Sequence, residues 1–165
     1  MANDNTIAYA PLLPGAAQGA SSTAEFQFKN SVAVIAEFTI EAGLLDKRRF
    51  RLVAGGRLTG GTTTNFTAKL YVGTGLGAAL FSTGAIACNS TSGSWHIEVE
   101  GLVDDTGRVI NGTGTGGVAA AMTAVAIATA AAIPSAALTF GVSGTFSASN
   151  SGSKAYMDYF ELEAL

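Results

Sequence analysis

The closing stretch, Ala137 to Leu165, limits what this chain can become more than any other part of it. It reads ALTFGVSGTFSASNSGSKAYMDYFELEAL. In its first run Leu138, Phe140, Val142, Phe146 and Ala148 share one parity, and Thr139, Gly141, Ser143, Thr145 and Ser147 take the other. Alternation with one apolar side predicts a half-buried strand. The second run extends from Ala155 to Leu165, and a loop of Ser, Asn, Gly and Lys joins the two. Buried backbone N–H and C=O groups need partners. The two runs are therefore expected to form a last hairpin, closing a β-sheet that the earlier strands supply.

The same period recurs upstream. Phe26 and Phe28 face one side. After Asn30 and Ser31, Val32, Val34, Ala36, Phe38 and Ile40 share a parity, which predicts one long strand or two with a kink. Gly43 to Lys47 reads as a turn. In Arg49 to Leu58, Phe50, Leu52 and Ala54 point in and Arg49 and Arg51 out, with Gly55 and Gly56 marking a bulge. From Asn65 to Val72, Phe66, Ala68, Leu70 and Val72 point in, and Thr67, Lys69 and Tyr71 out. Gly73 to Gly77 turns the chain into a short strand, Ala78 to Ile86. The sharpest alternation runs from Ser94 to Asp104: Trp95, Ile97, Val99 and Gly101 on one face, His96, Glu98 and Glu100 on the other. A tight turn at Asp104 to Gly107 leads into Arg108 to Asn111, and Thr113 to Gly117 reads as flexible.

The Ala-rich segment from Val118 admits a helix on propensity alone. A strand followed by a loop is preferred, because Val125, Ile127 and Ile133 are β-branched and no helix cap precedes them. The total is about eight to ten strands spaced by turn signals. The expected fold is all-β: an antiparallel β-sandwich, jelly-roll-like, over residues 24–165, with an extended N-terminal arm over residues 1–23. Pattern leaves an Ig-like strand order open. Pro11, Pro14 and Gly15 break any helix in the arm, while Ile7, Tyr9, Leu12 and Leu13 give it apolar surface to bury. It either packs on its own domain or docks on a neighbouring subunit.

At 165 residues the chain is long enough for one domain with a sizeable core. Only 13% of it is charged, it holds 21 glycines, and its net charge of −3 speaks against nucleic acid, which wants a basic face. Val118 to Leu138 carries no charge and approaches the length of a membrane span. It is dominated by Ala and interrupted by Pro134, so no span is expected. The opening MANDNTIAYAPLLPG has neither the basic nor the apolar region of a signal peptide. Cys88, the lone cysteine, reads as a small buried or half-buried residue.

Candidate chemistry is sparse. His96, the single histidine, sits beside Glu98 and Glu100 and reads as a strand-surface residue, since a metal needs more ligands. Asp104 and Asp105 lack the alternating oxygens of a calcium loop. Gly73, Gly75 and Gly77 lack dinucleotide spacing. Asp158, Glu161 and Glu163 would make a glycosidase pair only if two of them faced a cleft. No catalytic residue, metal or cofactor is expected. Lys47, Arg48, Arg49 and Arg51 form the one basic cluster, either a solvated turn edge or a patch that meets an acidic partner.

The strand FRLVAGGRLTG followed by NFTAKLYVG, the central WHIEVEGLV and the ending LTFGVSGTFSASNSGSKAYMDYFELEAL carry a resemblance. In these the chain resembles small β-sandwich structural proteins of tailed bacteriophages, over residues 45–165, departing most at 118–137. The resemblance implies a non-enzymatic virion component made in the host bacterial cytoplasm. Its leading form is a capsid decoration (cement) protein, a homotrimer on the outer capsid surface bound to the major capsid protein. Contacts are expected through Ile7, Tyr9, Leu12 and Leu13 of the arm and through Arg48, Arg49 and Arg51. The alternative is a tail- or fibre-associated module that binds host glycan, with Tyr71, Tyr156 and Tyr159 as candidate exposed aromatics.

Overall fold

The computed structural model describes residues 6–10, 17–18, 23–28, 37–41, 44–45, 47–59, 64–72, 78–88, 93–103, 109–118, 121–126, 138–149 and 152–165. Their strands are β1 (Thr6–Ala10), β2 (Ala17–Gln18), β3 (Phe26–Gln27), β4 (Glu37–Ile40), β5 (Arg49–Thr59), β6 (Thr64–Val72) and β7 (Ala78–Ser82). They continue with β8 (Ile86–Cys88), β9 (Gly93–Val103), β10 (Val109–Val118), β11 (Ala121–Ala126), β12 (Leu138–Phe146), β13 (Lys154–Tyr156) and β14 (Tyr159–Ala164). The first sheet runs β1-β14-β5-β9-β10-β11, with β13 and β2 continuing beside β5; the second runs β3-β12-β6-β7, with β4 on β12 and β8 on β6. Every pairing is antiparallel. The two sheets face each other as a β-sandwich.

Alternation builds the core. Phe50, Leu52, Ala54 and Leu58 of β5, Trp95, Ile97 and Val99 of β9, and Phe160 and Leu162 of β14 line the inner face of the first sheet. They meet Phe66, Ala68 and Leu70 of β6 and Phe140, Val142 and Phe146 of β12. Trp95 lies at the aromatic centre, stacked on Phe28 with centroids 5.3 Å apart and tilted against Phe66 at 5.7 Å. Such ring pairs add to the area they bury.

Several expectations are corrected. The two closing runs do not form a hairpin: β12 lies in the second sheet and β14 in the first. Alternation marks a strand with a buried face but says nothing of which sheet it joins. The polar-parity side of β12 is not solvated either. Thr139 and Ser143 are buried along with Phe140 and Val142. Their cover is polar: Ser143 donates to Glu25 (2.5 Å), Lys69 bonds the other Glu25 oxygen (2.9 Å), and the Thr39 and Thr139 hydroxyls meet at 3.0 Å. Tyr71, placed outward by parity, is 1% exposed. Its ring lies on Gly141, where a Cβ would collide with it. Its hydroxyl accepts from Gln27 (2.7 Å) and donates to Glu37 (3.1 Å). Burial holds its pKa well above the ordinary tyrosine range.

Thr113–Gly117 is not a flexible link but the middle of β10, paired with β9 on one side and β11 on the other. The Ala-rich stretch continues as strand β11, to Ala126. The expected strand over 78–86 is broken. Both halves, β7 and β8, run along β6, and between them Thr83 bonds Ala68 through both its backbone N–H and its side chain, with Gly84 at φ 71°. The arm is strand in part: β1 pairs with β14, and β2 with β13. The turns expected at 73–77 and 104–107 lie outside the described residues. Among the described residues, no helix is long and apolar enough to cross a membrane.

Candidate functional site

The anticipated bulge at Gly55 and Gly56 lies on the opposite strand. β5 keeps an unbroken register against β9, from Arg49 facing Leu102 to Leu58 facing Gly93. On its other edge Ala155 faces Leu58 and Tyr159 faces Gly55, so four steps along the terminal segment cover three along β5. The extra residue falls within 156–158. There the Tyr156 carbonyl turns beneath Gly56, where a Cβ would collide with it, and accepts a hydrogen bond from the Trp95 indole at 2.8 Å. The Asp158 N–H donates to the Gly55 carbonyl at 2.8 Å. A bulge re-aims the side chains that follow it. Here it throws Asp158 and Tyr159 onto the outer face.

Gly55 then matters on that outer face. Tyr159 lies across it, where a Cβ would strike the phenol, and reaches His96 on the strand beyond, Oη to Nδ1 2.7 Å. Burial, followed by the nearby charges of Asp158 and Glu98, raises the Tyr159 pKa, so the hydroxyl keeps its proton. The other ring nitrogen of His96, Nε2, faces Glu98 at 3.6 Å. Arg57 grips Asp158 in a two-pronged pair, Nε to Oδ2 and Nη2 to Oδ1 both at 2.9 Å. Its guanidinium stands 4.9 Å from the centre of the Tyr156 ring. Gly56, Arg57, Ser94, Trp95, His96, Asp158 and Tyr159 enclose an open depression of about 460 Å³.

A ladder of ion pairs runs from this depression along the sheet. Arg51 bonds Glu98 (2.6 Å) and reaches Glu163 (3.5 Å), and Arg49 bonds Glu100 (2.9 Å). The bond from Arg51 is the chief reason the Glu98 carboxyl sits below its ordinary value. Two residues of the basic cluster, Arg49 and Arg51, are thus engaged by carboxylates of their own sheet, while Arg48 and Lys47 stay exposed in the preceding turn. Of the arm candidates, Tyr9 is paired with Glu161, and Ile7 falls at the register shift between Thr6 and Ala8. Leu12 and Leu13 lie outside the described residues.

Of the three tyrosines considered for glycan, Tyr156 and Tyr159 flank the depression, and Tyr71 is buried in the other sheet. Sequence reasoning passed over Arg57, Ser94 and the role of Asp158. The available signal was the Gly55–Gly56 pair, since adjacent glycines in a strand mark close approach as well as bulges. Among the described residues no group of three or more His, Cys, Asp or Glu is placed to hold a metal ion. No family model, curated protein or solved structure matches the chain.

Proposed function

We propose that this chain is a non-enzymatic structural protein of a tailed-phage virion, decorating and stabilising the capsid as a homotrimer on its outer surface, bound to the major capsid protein. The supporting observation is the build of the large sheet. Tyr159 over Gly55, the Trp95–Tyr156 bond and the Arg–Glu ladder tie β13, β14, β5 and β9 together from both faces. Such a module holds its shape while it repeats over a lattice, and trimeric attachment multiplies weak single contacts. In this reading residues 1–23 are the contact segment. β1 stands at the end of the sheet order, the position from which a strand is added to a neighbour. Light scattering on the purified protein tests it. The expected mass is three times the 16.6 kDa chain. A monomer would overturn the homotrimer, and trimer loss on deleting residues 1–23 would assign the arm to self-assembly.

A second reading is favoured by one observation, the depression beside Tyr159. It makes the chain a tail- or fibre-associated module that binds host-surface glycan.

A further inference from the structure

The depression at the β13–β14 bulge has a chemistry of its own. Its polar groups are held before any ligand arrives. Asp158 is clamped by Arg57, Arg57 is steadied over the Tyr156 ring, and His96 is fixed by Tyr159. Positioning that is already in place lowers the cost of binding.

The charge of the site is balanced. Arg57 and Asp158 neutralise each other at its edge, leaving neither a bare cation for an anionic ligand nor a bare carboxylate for a cationic one. What remains is a donor beside an acceptor. The bidentate grip uses Nε and one N–H of Nη2 of Arg57, so the second Nη2 N–H lies outside it, on a nitrogen 2.9 Å from Oδ1, an oxygen that retains acceptor capacity. Adjacent donor and acceptor match two neighbouring hydroxyls, each of which both gives and takes a hydrogen bond. The Ser94 hydroxyl stands on the exposed position directly across from Arg57.

The remaining wall is aromatic. Among the described residues Tyr159 is one of the few large apolar side chains left exposed, at 36%. Its phenol end lies over Gly55, and an exposed aromatic surface suits the C–H face of a sugar ring. The volume of about 460 Å³ falls within the range of small-molecule sites, roughly 300–1,000 Å³. We infer that this depression is a binding site for a neutral pyranose residue of a glycan, with Tyr159 as the stacking platform and the Arg57–Asp158 pair and Ser94 reading its hydroxyls. The inference rests on the second functional reading, that of a glycan-binding module.

The chain carries its own reporter. Trp95 is the single tryptophan, it lines the depression, and its indole N–H bonds Tyr156 within the bulge. One indole peak is therefore expected in a proton–nitrogen correlation spectrum of the full chain. The probes are methyl glycosides of glucose, galactose, mannose and N-acetylglucosamine, with glucuronate and N-acetylneuraminate as anionic comparisons. At least one neutral glycoside should shift the Trp95 indole and the Gly56 amide saturably, with a Kd on the order of 1 mM. Tyr159→Ala should weaken this by about tenfold or more, the size of loss expected when a central aromatic is removed. Ser94→Ile, which fills the mouth of the site from an exposed strand position, should do the same in a protein that melts as the wild type does.

No saturable shift with any neutral glycoside would overturn the inference. So would tighter binding of the anionic sugars at these residues, or a shift that survives both substitutions. A glycan array read in parallel separates the two levels. Array binding that both variants retain would leave the glycan-binding module standing and remove this site from it. An array that stays silent along with the spectra would remove both.

Discussion

A methyl group added at Gly56 has no room, because the Tyr156 carbonyl and the Asp158 N–H occupy the space it would need. The strand would have to part at the bulge and leave the Trp95 indole without its acceptor. Gly56→Ala is expected to destabilise the protein by about 3 kcal/mol, the range for overpacking combined with loss of a buried hydrogen bond. Gly93→Ala is the control, since nothing lies within 4 Å of its added Cβ, and a surface change of that kind costs about 0.5 kcal/mol or less. Urea denaturation of the two variants measures the difference, and equal midpoints would contradict the packing described. A pH dependence follows from Glu98 and Glu25. Glu98 lies below the ordinary value of 4.5 chiefly through the Arg51 bond. For Glu25, burial pushes upward but is outweighed by the Ser143 and Lys69 bonds, so its net shift is also downward. A depressed folded-state pKa contributes stability that is full above the unfolded value and is lost as pH falls through the folded one. Melting temperature should therefore drop below about pH 4.5, and Arg51→Met should shrink the Glu98 share of that drop. A variant whose acid limb matches the wild type would refute the pairing.

At the scale of elements, alternation made β5, β6, β9 and β14 legible, because apolar residues at every second position leave few other ways to bury them. The outer face of β12 was not legible. Thr139, Gly141 and Ser143 look like solvent-facing residues, and what covers them comes from far along the chain: Glu25, Gln27, Thr39 and Tyr71. A polar residue buried by polar partners leaves no mark in a local pattern. Likewise Gly55 and Gly56 announced irregular backbone, but the extra residue sits in the strand they face. The depression was hidden for the same reason, since Arg57 and Asp158 meet across 101 positions of sequence. The element order sets an expectation for hydrogen exchange. β5 lies between β14 and β9, and β12 between β6 and the β3–β4 pair, whereas β1 and β11 end the path of the first sheet. Amides of 50–58, 95–101 and 140–145 should exchange slowest, and those of 6–10 and 121–126 faster. Protection of β1 equal to that of β5 would show that the edge is covered in solution.

For the whole molecule, the sandwich class was readable from alternation and turn spacing, although the described residues hold fourteen strands against the eight to ten expected, and the assignment of strands to sheets was not. The connections from β5 to β6, β8 to β9, β11 to β12 and β12 to β13 all cross between sheets. No local period encodes such a crossing. The result is a module braced on both faces of its large sheet, with a small polar and aromatic depression at the bulge. Sedimentation with shells tests the proposed capsid-decorating role most directly. Purified protein is mixed with capsids of the phage proposed to carry it, assembled without this chain, and the pelleted shells are assayed for bound chain. The account predicts saturable binding at a fixed ratio to the major capsid protein, with shells that then withstand heat better than bare ones. Protein that stays in the supernatant at every concentration would contradict it.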